Sequence, residues 1–127
     1  MKPTQAVRAL TALAQITRLE IFRLLVRAGQ AGVSVGQIGE KLDVPGPTLS
    51  FHLKELVNAD LIAARQEGRF IFYSACFDRM NDLLEFLTEN CCGGNRSACG
   101  VPAFGPKRKV TPKSKALAKK SVIARSR

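Results

Sequence analysis

The sequence predicts a mainly α-helical domain with a β-hairpin wing, a winged helix-turn-helix of about five helices and two strands. Three observations lead there. Apolar residues recur at helical spacing over most of residues 3–90. The stretch "DVPGP" breaks one short helical pattern just before another begins. Between them and the last helical stretch, "LIAARQEGRFIFYSA" alternates on either side of a glycine, as a hairpin does.

The elements follow in order. "AVRALTALAQ" sets Val7, Leu10, Leu13 and Ala14 on one side of a first helix. Thr17 is expected to cap "RLEIFRLLVRA", with Glu20 completing a capping box and Gly29 ending the helix. Leu19, Phe22, Leu25 and Val26 form its inward face. Ser34 starts the short helix "VGQIGEKL", facing inward through Val35, Ile38 and Leu42. Pro47 is tolerated in the first turn of the next helix, residues 47–58, which buries Leu49, Leu53, Leu56 and Val57. The hairpin runs Leu61 to Gln66, turns at Glu67-Gly68, and returns from Arg69 to Ala75. Asp78 opens a last helix with Met80, Leu83, Leu84 and Leu87 on one face.

Charge divides the chain. Its formal net charge is +10, yet residues 1–104 hold eleven bases and ten acids. From Gly105 onward there are nine Lys or Arg and no acid, in a composition too poor in apolar surface to offset ordering entropy. Such a tail holds nucleic acid through counterion release, or else serves only solubility. Expected organisation is therefore residues 1–90 for the folded domain, 91–104 for a cysteine-rich segment and 105–127 for a basic tail. No apolar run reaches the ~18 residues needed to span a bilayer, and the start of the chain does not read as a secretory signal. The expected location is a reducing cytoplasm, where clustered cysteines are metal ligands or redox groups before they are disulfides.

On the helix at 47–58, the face away from the core presents Pro47, Phe51, Lys54, Glu55 and Asn58, flanked by Thr48, Ser50 and His52. Hydroxyls reach phosphates or base edges, the lysine neutralises phosphate, and an exposed Phe suits a thymine methyl. Packing of Phe51 and His52 against the hairpin is the plainer alternative. Arg65 and Arg69 flank the glycine turn, suited to a minor groove or a phosphate, or merely solvated at the strand ends.

"RLEIFRLL", "LSFHLKELVNADLI" and "EGRFIFYSA", in that order, resemble the ArsR/SmtB family of metal- and metalloid-responsive repressors over roughly residues 5–90. The resemblance implies a homodimer, joined through its first and last helices, on pseudo-palindromic double-stranded operator DNA. Two-fold symmetry spaces such reading helices by about 34 Å, one DNA turn. The familiar arsenic and cadmium sensors carry "CVCDL" before the reading helix, whereas the equivalent "VSVGQIGEKL" holds no cysteine. The zinc sensors use Asp and His on the last helix. Asp78 and Asp82 are present here without a histidine, which argues against a tetrahedral N/O zinc site.

"LTENCC" followed by a third cysteine resembles instead the arsenic-responsive branch whose site follows the last helix. By that resemblance Cys91, Cys92 and Cys99 hold As(III) or Sb(III) as inducer. Their donor chemistry agrees, since three soft thiolates suit a pyramidal three-coordinate centre. Alternatives stay open: a redox switch; cadmium, lead or zinc with a fourth ligand such as Glu89 or water; or a methylated arsenical needing Cys91 and Cys92 alone. Cys76, in "YSACF", reads as structural. Catalysis is not expected. The thiols follow a helix C-terminus, whose negative end raises thiol pKa, and the chain's one histidine lies in the reading helix.

Overall fold

The computed structural model describes residues 1–94. Residues 1–86 form one compact unit, and the described residues from Leu87 belong to a second. The elements are α1 (Pro3–Leu13), α2 (Ile16–Ala28), β1 (Val33–Ser34), α3 (Val35–Leu42), α4 (Gly46–Asn58), β2 (Ile62–Glu67), β3 (Phe70–Ala75) and α5 (Phe77–Leu87). A 3₁₀ turn at Cys91–Gly94 follows.

Five helices and the hairpin match the predicted winged helix-turn-helix. The strand count is corrected from two to three, because β1 pairs antiparallel with β3 (Val33↔Tyr73, Ser34↔Phe72) and the sheet order is β1-β3-β2. Gly32 makes this possible. At φ +81 its backbone lies so close to Tyr73 that a Cβ would sit 2.6 Å from the Tyr73 carbonyl oxygen. The hairpin turn is also shifted by one residue. Glu67 pairs with Phe70, leaving Gly68-Arg69 as the two-residue loop. Gly68 takes φ +63, matching the primed turns whose twist follows that of hairpin strands.

Ile21 and Leu25 of α2, Ile38 of α3, Leu49 and Leu56 of α4, and Leu61 and Ile62 beside the sheet are the largest fully buried side chains. The inward face of α1 differs from expectation. Ala6, Ala9 and Ala12 are buried, whereas Val7 and Leu10 are exposed. Alanines let α1 approach its neighbours closely, and packing at that spacing outweighs side-chain hydrophobicity. The start of α2 is corrected too: the cap is Gln15, not Thr17, its Oε1 accepting from the Arg18 backbone N–H at 2.9 Å. Leu19 points largely outward, while Ile21 takes a core position.

The cap of α3 is as expected. Ser34 Oγ accepts from the Gln37 N–H, and Gln37 Oε1 accepts from the Ser34 N–H, both at 3.3 Å. Asp43, in the left-handed region at φ 54, then ends the helix and opens the turn to α4.

Candidate nucleic-acid interface

Helix α4 enters through Pro45, Gly46 and Pro47, with the Leu49 N–H donating to the Pro45 carbonyl at 2.8 Å. Leu49, Leu53 and Leu56 fix its inner face, whereas Val57, expected to be buried with them, is 37% exposed. Thr48, Ser50, Phe51 and Lys54 are all exposed on the other side. Phe51 is 56% exposed, a large aromatic surface that no core contact accounts for.

His52 is corrected. It is only 8% exposed, so it does not stand on the reading face. Its Nδ1 lies 3.2 Å from Arg18 Nη1, and its ring meets Phe51 edge-on at 5.6 Å between centroids. Burial, and then the Arg18 guanidinium, hold its pKa below the ordinary value of 6.5, which favours the neutral imidazole. Arg18 itself went unread in the sequence. It occupies an ordinary polar position of α2, and only the tertiary fold brings it to His52, 34 residues away.

Arg65 and Arg69 part company on the wing. Arg65 Nε pairs with Glu67 Oε2 at 2.6 Å, its Nη2 donates to the Ala31 carbonyl at 3.0 Å, and its guanidinium lies 5.4 Å from the Phe72 ring centroid. It therefore ties β2 to the loop before β1. Arg69 is exposed in the turn, beside Phe70 at 64% exposed, and Gln66 Nε2 donates to the Gly68 carbonyl at 3.3 Å.

The cysteines occupy distinct settings. Cys76 closes β3, partly buried, with its N–H donating to the Leu61 carbonyl at 2.8 Å. Burial, then Asp60, push its thiol pKa up against the opposing pull of Arg79, which favours the less reactive thiol form. The Cys91 and Cys92 sulfurs lie 3.8 Å apart in the 3₁₀ turn, where Asn90 and Cys92 have positive φ of 56 and 55 and Gly93 one of 67. Cys99 and the basic tail lie outside the described residues. Among the described residues no three His, Cys, Asp or Glu side chains come together as a metal site, and no helix is long and apolar enough to cross a membrane.

A family model described as a helix-turn-helix domain matches residues 13–65. The chain is 34% identical over 88 residues to the uncharacterized HTH-type transcriptional regulator MJ1325 of Methanocaldococcus jannaschii, covering 69% of this chain and 97% of that one. It is 36% identical over 81 residues to the arsenical resistance operon repressor of Bacillus subtilis, covering 64% and 73%. Among solved structures, an ArsR-like transcriptional regulator from Rhodococcus sp. RHA1 superposes with a TM-score of 0.63 at 25% identity, over 76% of this chain and 89% of that one. The homodimeric winged helix-turn-helix DNA-binding domain Mb0332 from Mycobacterium bovis does so with 0.55 at 26% identity, over 72% and 85%.

Proposed function

This chain belongs to the ArsR family of winged helix-turn-helix transcriptional regulators, and we propose that it is a homodimeric operator-binding repressor released from DNA by As(III) or Sb(III). The observation that carries the inducer is the 3.8 Å separation of the Cys91 and Cys92 sulfurs. Two sulfurs bonded at about 2.3 Å to one soft centre stand roughly 3.3 to 3.8 Å apart, for bond angles from a right angle to tetrahedral. At 3.8 Å the pair stands at the wide end of that range, and a pyramidal centre draws the sulfurs together by about 0.3 to 0.5 Å. Cys99 is the third donor, and three thiolates favour a thiophilic, three-coordinate ligand over zinc. That one relative is an arsenical resistance operon repressor supports the same choice. When bound, the metalloid supplies a cross-link among the thiolates.

The chain's own residues do the DNA reading. Thr48, Ser50, Phe51 and Lys54 enter the major groove, the hydroxyls and Lys54 meeting phosphates or base edges and Phe51 a thymine methyl. Arg69 reaches a phosphate or the minor groove from the wing tip, while Arg65 holds the wing in place. The basic segment from Gly105 adds sequence-independent attraction to flanking DNA. A second subunit covers Val7 and Leu10 of α1 and an apolar groove of about 440 Å³ lined by Leu13, Leu19, Phe22, Met80, Leu83 and Leu84. A cross-link just past α5 then alters that dimer contact, and with it the spacing of the reading helices.

Thiol accounting tests the inducer site. Of the chain's four cysteines, arsenite is expected to protect three from a thiol reagent and leave Cys76, identified by peptide mapping. Methylarsenite is expected to protect Cys91 and Cys92 only. Protection by cadmium or lead but not by arsenite would move the inducer to another soft metal, and a disulfide formed under mild oxidant would favour a redox switch.

A further inference from the structure

We infer that Arg18 is a positioning residue for DNA reading, its guanidinium tying the last turn of α1 to the reading helix α4 through a neutral His52. The inference rests on the reading of DNA by α4 proposed above. Arg18 Nε donates to the Ala12 carbonyl at 2.7 Å, while Nη1 lies 3.2 Å from His52 Nδ1. A guanidinium has donors only. Nδ1 must therefore present its lone pair, and the imidazole carries its proton on Nε2. The planar fork of an arginine serves both acceptors at once, which a lysine ammonium does not do in the same geometry.

The tie bears on function because of what flanks His52. Phe51 precedes it and Lys54 follows two residues later, both exposed on the face assigned to DNA. Rotation of α4 about its axis would move both. The imidazole is buried at the edge of the stripe formed by Leu49, Leu53 and Leu56, so its bond to Arg18 opposes that rotation directly. Through Ala12 the same guanidinium reaches α1, so a change in the pose of α1 is felt by the reading helix.

Protonation of His52 breaks the tie. It removes the acceptor lone pair and places a second positive charge against Arg18. Of the other charged groups, Arg8 of α1 and Glu55 of α4 line a cleft together with Arg18. The chain has one histidine, and no other side chain has an ordinary pKa between about 5 and 8. A titration of DNA affinity in the mildly acidic range therefore reports on His52.

The experiment is fluorescence anisotropy of a labelled duplex from the protein's own upstream region, with the full reduced chain at fixed ionic strength, from about pH 7.5 down to about pH 5. Wild-type affinity is expected to fall about tenfold as pH drops below the ordinary histidine value, within the usual range of coupling between sites. His52→Asn, whose Oδ1 stands where Nδ1 stood and accepts from Arg18 at every pH, is expected to bind like wild type at the upper end and to stay flat. Arg18→Lys keeps the charge without the fork and is expected to bind about fivefold more weakly at the upper end. A flat wild-type profile, a profile that persists in His52→Asn, or loss of far-UV circular dichroism over the same window would overturn the inference. Absence of DNA binding at every pH would overturn the reading of α4 along with it.

Discussion

Replacing Cys92 with serine is expected to leave DNA affinity unchanged and to abolish release by arsenite. The unmodified chain should lose roughly 5- to 150-fold in affinity on saturation with arsenite, the span that coupling between two sites ordinarily covers; the variant should lose almost none. Serine keeps the shape of the 3₁₀ turn but replaces a soft donor with a hard, protonated one. Cys91→Ser is expected to behave alike, since its sulfur is the near partner at 3.8 Å. Cys99→Ser separates the two arsenicals. It should fail to respond to arsenite while still releasing DNA with methylarsenite, which has one valence blocked by carbon and needs only two thiolates. Anisotropy of the labelled upstream duplex reads all three. Arsenite release that survives in both Cys91→Ser and Cys92→Ser would remove the thiol pair from the mechanism.

Gly32→Ala is expected to be the most destabilising small substitution in the domain. A methyl there would stand 2.6 Å from the Tyr73 carbonyl oxygen and 3.3 Å from its carbon, both backbone atoms that cannot swing aside. The residue also holds φ +81, where an L side chain costs roughly 1–2 kcal/mol by itself. Relief requires β1 to leave β3, which unpairs Val33 and Ser34 and uncovers Val33, a core residue. The total is about 2–4 kcal/mol, seen as a lower urea midpoint at unchanged slope. Gly36→Ala is the matched control. That glycine lies in α3 with nothing within 4 Å of an added Cβ, so alanine should stabilise by about 0.5–1 kcal/mol. Equal effects from the two substitutions would show that the close approach to Tyr73 is not what Gly32 serves.

The parts of the fold that repeat a local rule were legible. Ser34 with Gln37 three residues on makes a capping box whatever the rest of the chain does, and the leucines at 49, 53 and 56 lie on one helical stripe. The hairpin alternates by a period of two. What escaped depends on distant partners or on length. β1 is two residues long, too short for any period to show, and exists because β3 passes beside it. The choice between the alanine face and the valine-leucine face of α1 is made by how closely the neighbouring helices approach. Gln15 displaces Thr17 as a cap because its amide reaches the Arg18 N–H from one residue before the helix begins.

The reading face shows the same division. Thr48, Ser50, Phe51 and Lys54 stand exposed, as the stripe of leucines opposite them requires. His52 adjoins that stripe, and a helical wheel does not decide whether an imidazole finds a partner inside. Arg18 decides it. The salt bridge between Arg65 and Glu67 was within reach of the sequence, since residues two apart on a strand share a face. That neighbour pairs with Arg65 and leaves Arg69 exposed in the turn.

Arsenite titrated into the complex of the reduced, unmodified chain with its labelled upstream duplex, at fixed salt and neutral pH, bears most directly on a metalloid-released repressor. Anisotropy is predicted to fall to that of free DNA as arsenite reaches one equivalent per protomer, and zinc is predicted to have no such effect. A complex that persists at saturating arsenite and methylarsenite would contradict the assignment of Cys91, Cys92 and Cys99 as the inducer site.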